Sequence, residues 1–140
     1  KWMLPIAEVL KELGSEHLFI VHSHDGLDEI SIASPTSVVE MKQGKISEFQ
    51  ICPEDFGFKT SSLDTLEVDS PEQSLEIAKL ALRGEHEEAS AMVAMTAGAA
   101  LYISDIADSL DSGVELAKDC IKEGGGIIKL NQLVEFSSKL

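Results

Sequence analysis

Apolar and polar positions follow two rhythms along this chain, one helical and one extended. Ile6, Val9, Leu10 and Leu13 recur at helical spacing, which predicts an amphipathic helix burying those four side chains. Pro5 suits its first turn, and Gly14 its end. Leu18 to Val21 is an uncharged run that reads as a buried strand. Ile30-Ser31-Ile32 alternates and predicts a second, short strand. Pro35-Thr36-Ser37 then breaks the chain, and residues 38–51 read as a β-hairpin, with Gly44 supplying positive φ in its turn. The expected strands lie near 18–21, 30–32, 37–42 and 46–51.

Helical signals dominate the second half. Cys52 to Phe58 is a turn with aromatic anchors, and residues 59–70 form a polar loop without period. Ser70 fits a helix N-cap, with Pro71 in the first turn and Gln73 three residues after the cap. Leu75, Ile77, Ala78, Ala81 and Leu82 give its buried face, and Gly84 its end. Further helices are expected over 87–110 and 113–123, and after Gly124-Gly125-Gly126, which reads as a helix–helix hinge. The opening helix, loop and strand look like the second half of a β-α-β crossover whose first strand is absent. The fold class is therefore α/β, with a mixed, largely parallel sheet and flanking helices. Residues 1–140 form a single partial domain, a helix-strand-hairpin region over 1–58 and a helical region over 70–140.

Charge narrows the partners. Among 140 residues, 25 are acidic and 11 basic, a formal net charge of −14. Such a surface repels nucleic acid and anionic lipid. It leaves room for a phosphorylated metabolite that arrives with its own cation. Cys52 and Cys120 lie far apart without metal spacing and read as reduced thiols of a cytoplasmic protein. The uncharged stretch from Ala89 to Ser104 falls short of the about 20 apolar residues a membrane span requires, and its small residues suit a close-packed central helix. The chain begins at Lys1, which suggests a processed or excised piece.

The candidate chemistry follows the first strand. His22-Ser23-His24-Asp25-Gly26 carries the chain out of the core, and Asp28-Glu29 follows between Leu27 and Ile30. Loops at the carboxyl ends of α/β strands are where such sheets bind ligands, and Mg²⁺ is commonly held by one or two carboxylates plus substrate phosphates. Asp28 and Glu29 are the expected metal ligands, and Asp25 either assists them or caps the turn. The alternatives are a solvated acidic pair, or a zinc hydrolase built on His22 and His24. The hydrolase lacks further ligands, since the one later histidine is His86 at a helix start, so His22 reads better as a hydrogen-bonded strand-end residue. Arg83, at a helix end, reads as a cap on helix carbonyls and not as a phosphate ligand.

Several segments then resemble the anthranilate phosphoribosyltransferase family. They are Ala7 to Gly14, Val21-His22, Asp25 to Ser31, Pro35-Thr36, Pro53 to Gly57, Leu82 with Gly84, Ala99 to Tyr102, Gly113 to Ala117, and Lys129-Leu130 with Leu133-Val134. The resemblance implies the second half of a phosphoribosyltransferase/nucleoside phosphorylase type α/β domain. It implies Mg²⁺-dependent transfer of phosphoribose from phosphoribosyl pyrophosphate to anthranilate, in tryptophan biosynthesis, by a cytoplasmic homodimer. It implies that Asp28 and Glu29 bind the magnesium that accompanies the pyrophosphate. The family's glycine-rich pyrophosphate loop, its Lys-His-Gly-Asn-Arg stretch and its anthranilate-binding arginine have no counterpart in these 140 residues, which are expected to be inactive alone. The family's usual glycine after the histidine is Ser23, expected to narrow the loop, and a frequent asparagine is Thr96, expected to affect packing only. Competing readings are a phosphoribosyltransferase-like protein with another acceptor, a nucleic-acid-binding relative disfavoured by the charge, and a non-enzymatic oligomerisation or binding module.

Overall fold

A computed structural model describes residues 1–139 as helix α1 (Met3–Glu12), strands β1 (His17–Ser23), β2 (Thr36–Lys42) and β3 (Lys45–Ile51), then helices α2 (Pro71–Arg83), α3 (Glu87–Ile103), α4 (Leu110–Lys122) and α5 (Gly125–Ser137). Short 3-10 turns at Pro53–Phe56 and Asp64–Leu66 interrupt the connection between sheet and helices. The α/β class with flanking helices matches expectation, but the pairing within the sheet does not.

The three strands stand in the order β1-β2-β3, and both pairs are antiparallel. A parallel pair needs a crossover, usually helical, of a dozen or more residues that returns the chain to its starting edge. Here β1 reaches β2 through a hydrogen-bonded loop, and β2 reaches β3 through Gln43-Gly44, both at positive φ. Two consecutive positive-φ residues make the twist-matched hairpin turn. Gly44 takes that conformation without steric cost; Gln43 is held in it with its N–H donating to Glu16 O at 2.9 Å.

The strand expected at 30–32 is absent. Ile30, Ser31 and Ile32 are all buried, so their alternation does not divide a core face from a solvent face. Their backbone bonds go to loop partners: Ser31 N–H donates to Thr36 Oγ1 at 3.1 Å, and Ser61 N–H to Ile32 O at 3.1 Å.

One sheet face packs on α3 and α4. Val38, Ile51, Ile30, Ile32 and Phe56 meet Ala91, Met95, Ala99 and Val114, with Phe19 and Val21 at the margin. At the foot of this layer Glu40 Oε1 accepts from His17 Nε2 at 2.8 Å and from the Tyr102 hydroxyl at 3.0 Å, which ties β1, β2 and the last turn of α3 together. Burial, and then the hydrogen bond to Glu40 and its charge, push the Tyr102 phenol up. Helix α1 lies along β1 and β2 but buries only Ala7; Ile6, Val9 and Leu13 are exposed and Leu10 half-buried, contrary to the face expected from spacing.

Helices α3 and α4 touch at backbone distance. A methyl group on Gly98 would lie 2.6 Å from the backbone N and Cα of Val114, and one on Gly113 would collide with the Gly98 carbonyl. Helix α3 stops at Ile103 and α4 starts at Leu110, which corrects the expected 87–110 and 113–123. Asp105, at φ 56°, turns the chain between them, and Ser109 and Ser112 cap α4 reciprocally. The Ser70 cap on α2 is as expected, and Ser70 Oγ accepts from Gln73 N–H at 3.2 Å. Of the expected α2 face, Ala81 is buried, Ile77 and Leu82 are half-buried, and Leu75 and Ala78 are exposed. Only Gly124 of the glycine triplet lies outside a helix. Gly125 and Gly126 belong to α5, where added methyl groups would press on Cys120 and Leu82 at 2.7 and 2.8 Å.

Candidate functional site

The candidate site is the loop between β1 and β2. Strand β1 ends at Ser23, whose buried N–H donates to Leu27 O at 2.9 Å, while Gly26 N–H returns to Ser23 O at 3.1 Å. Gly26 sits at φ 99°, a conformation that glycine adopts without a Cβ clash, and this lets the chain reverse. His22 Nδ1–H donates to the same Leu27 carbonyl at 3.2 Å. His22 is thus a strand-end residue engaged with its own loop.

His24 turns the other way. Its Nε2 lies 3.0 Å from Ser37 Oγ and 2.7 Å from the Gln50 side-chain nitrogen, which joins it to the ends of β2 and β3. The two histidines therefore serve separate partners, and among the described residues no three His, Cys, Asp or Glu side chains gather as a ligand set. This removes the geometry a zinc hydrolase requires.

Asp25 is engaged through both carboxylate oxygens within the loop. Its Oδ1 accepts from Leu27 N–H at 3.1 Å, and its Oδ2 accepts from Ser31 Oγ at 2.5 Å. Burial acts to raise this carboxyl, but hydrogen bonds from Ser31, Ser23, the Leu27 amide and Ser34 together hold it below the usual carboxylate range. Behind it stands a group of hydroxyls that the sequence did not single out. The Ser23 and Ser34 Oγ atoms are 2.7 Å apart, Asp25 N–H donates to Ser34 Oγ at 3.1 Å, and Ala33 N–H donates to Ser31 Oγ at 2.9 Å. Ser23, Ser31 and Thr36 are buried. Their signal in the sequence is a density of small hydroxyl residues between 23 and 37, a pattern shared by many ordinary loops.

Asp28 and Glu29 stand at the exposed tip, on consecutive residues. Among the described residues neither carboxylate takes part in a hydrogen bond or ion pair, so both are available for an external cation. Leu27, Asp28 and Glu29 face Leu63, Leu66, Glu67 and Met92 across an open groove of about 360 Å³. That is at the small end of the range for ligand sites. Glu67 was not expected from sequence, because the loop carrying it has no periodicity. A second hollow shares Glu29 and Met92 with it and is lined along α3 by Val93, Thr96, Ala97 and Ala100. Thr96, expected to affect packing only, is exposed on this wall.

The donor set suits a hard divalent cation. Two carboxylates free of internal partners offer oxygen ligands, and Mg²⁺ takes its remaining ligands from water and phosphate. Arg83 stands in the last turn of α2, 3.9 Å from Glu85. Cys52 and Cys120 are free thiols. No helix among the described residues is long and apolar enough to cross a membrane.

Comparison with known proteins gives a consistent result. Residues 1–127 match the family described as glycosyl transferase family, a/b domain. Anthranilate phosphoribosyltransferase of Marinomonas sp. (strain MWYL1) is 51% identical over 139 residues, covering 98% of this chain and 40% of the relative. The solved structure of anthranilate phosphoribosyltransferase from Thermus thermophilus superposes with a TM-score of 0.85 at 33% identity, over 96% of this chain and 40% of that one. A Saccharomyces cerevisiae anthranilate phosphoribosyltransferase variant with Mg bound superposes with a TM-score of 0.81 at 25% identity, covering 98% of this chain and 40% of its own. The chain thus spans about 40% of the length of the curated relatives it matches.

Proposed function

The chain belongs to the glycosyl transferase family, a/b domain, and from that premise we propose that it supplies the magnesium-binding loop of an anthranilate phosphoribosyltransferase. The reaction moves phosphoribose from phosphoribosyl pyrophosphate to anthranilate: a nitrogen–C1 bond forms, the C1–oxygen bond to pyrophosphate breaks, and the amine gives up a proton. Its place is tryptophan biosynthesis in the cytoplasm, in an enzyme that works as a homodimer. Residues 1–140 act as one partial domain of that enzyme.

The observation that carries this reading is the division of labour in the loop. Both carboxylate oxygens of Asp25 accept hydrogen bonds within the loop, while Asp28 and Glu29 project without partners among the described residues. These two side chains would hold the cation and present it at the mouth of the groove. Bound Mg²⁺ supplies charge screening for the pyrophosphate leaving group. Leu63, Leu66 and Met92 form the apolar wall opposite these carboxylates. The 140 residues contribute one acidic loop and a small open groove, so on their own they bind without turning over.

Titration calorimetry with Mg²⁺ and inorganic pyrophosphate tests the proposal. Binding by the unaltered chain, lost in Asp28→Ala and in Glu29→Ala, is the expected result. Binding that survives both substitutions would sink the assignment of these residues. Formation of phosphoribosyl anthranilate by the 140 residues alone would overturn the expectation of inactivity.

A further inference from the structure

Resting on that reading of Asp28 and Glu29, we propose that Asp25 is a positioning residue. Its carboxylate, clasped by Ser31 and the Leu27 amide, closes the loop and holds the two ligand carboxylates outward without joining them. The bonds fall on either side of the tip. Leu27 N–H reaches Oδ1 from just before Asp28, and Ser31 Oγ reaches Oδ2 from two residues after Glu29. One carboxylate therefore spans the segment that contains both ligands. Asp28 and Glu29 have no side-chain anchor among the described residues, so their direction is inherited from the backbone between these two contacts.

The far side of the clasp is fixed as well. Ser31 is buried, its N–H donates to Thr36 Oγ1 at the start of β2, and its Oγ accepts from Ala33 N–H. The near side is fixed by Ser34, whose Oγ accepts from Asp25 N–H and pairs with Ser23. A cation that took Asp25 as a ligand would share its oxygens with the Leu27 amide and the Ser31 hydroxyl, and Ser31 Oγ has no other acceptor in this network. Hydrogen bonding thus divides the three exposed carboxylates into one bonded to its own loop and two without partners among the described residues. Groups hydrogen-bonded directly to metal ligands typically matter by one to two orders of magnitude in affinity, and a clasp acting through the backbone belongs at the low end of that range.

The test uses the 140-residue chain, with Mg²⁺ and inorganic pyrophosphate as the probe. Ser31→Ala keeps all three carboxylates, so any loss it causes arises from geometry and not from charge. The expected result is about tenfold weaker binding, with faster amide hydrogen exchange across residues 26–30. Asp25→Asn keeps an acceptor for Leu27 N–H and is expected to lose less than Asp28→Asn. If Ser31→Ala binds as tightly as the unaltered chain while Asp25→Asn loses as much as Asp28→Asn, then Asp25 is a ligand and the positioning role is overturned. Unchanged exchange over 26–30 in Ser31→Ala overturns the clasp even if affinity falls. Failure of the unaltered chain to bind the probe counts against the metal reading itself and removes the positioning role with it, whereas the exchange measurement judges the clasp separately.

Discussion

Where α3 crosses α4, Gly98 and Gly113 bring two backbones together with no space for a methyl group. In the loop from Asp25 to Ser34 the backbone keeps its course through a handful of hydroxyl and carboxylate hydrogen bonds. The first region is governed by exclusion, since two helices approach because nothing stands between them. The second is governed by attraction, with each bond tying a separate stretch of chain. Errors in the first should spread through the core at a large cost in stability, and errors in the second should cost less stability and appear also in ligand affinity. The larger share of stability and the site geometry are thereby placed in different residues of one small structure.

The strongest way to break this contrast is Gly98→Ala. Its Cβ would meet the Val114 backbone, which a rotamer change cannot relieve, so α4 must move. Overpacking of this kind costs about 3 kcal/mol, equivalent to a fall of about 10 °C in a thermal melt of a chain this size. A melt unchanged from the parent protein would show that the helices slide apart freely.

Next in size is Ser23→Gly, which deletes the hydroxyl paired with Ser34 and restores the residue usual in the resembled family. Denaturant titration should record a loss of about 1 kcal/mol. Ser23 does not occupy a positive-φ conformation, so glycine gains no backbone relief there. A smaller effect is expected at acid pH. The Asp25 carboxyl lies below its usual range when folded, so its contribution is complete above the unfolded carboxylate value of about 3.9. It disappears as pH falls through the lower folded value. The Leu27 amide resonance should report this, with a midpoint below that of a free aspartate. Thr96→Val should be the quietest change, within about 0.5 kcal/mol by denaturant titration, because Thr96 is exposed on the groove wall.

The two regions also differ in how well the sequence reveals them. The α2 cap at Ser70, the hairpin and the Gly44 turn are local features written in adjacent residues, and they stand where expected. Asp28 and Glu29 were identifiable as a pair, and the turn role of Asp25 was one of two open readings. Ser31 was read as a strand residue, because alternation around it resembles a pleat. Its partners, Asp25 and Thr36, lie on either side in the chain, and a periodicity argument does not see them. The break between α3 and α4 was hidden for another reason. Ile106, Ala107 and Leu110 continue the apolar pattern, and the residue that ends the helix geometry is Asp105, not a glycine. The face of α1 was overread, since helical spacing reports amphipathicity but not what lies opposite.

The tie of Tyr102 to Glu40 and His17 has a spectroscopic consequence. The chain has a single tyrosine and a single tryptophan. Tyr102 sits in the seam between α3 and the sheet, in edge contact with His17, while Trp2 stands in solvent ahead of α1. Two native chromophores thus report on two places without added labels. Near-ultraviolet dichroism from the tyrosine follows the joint between helix and sheet, and tryptophan emission follows the first turn of α1, so a ligand that orders one end of the molecule can be told from one that loosens the other.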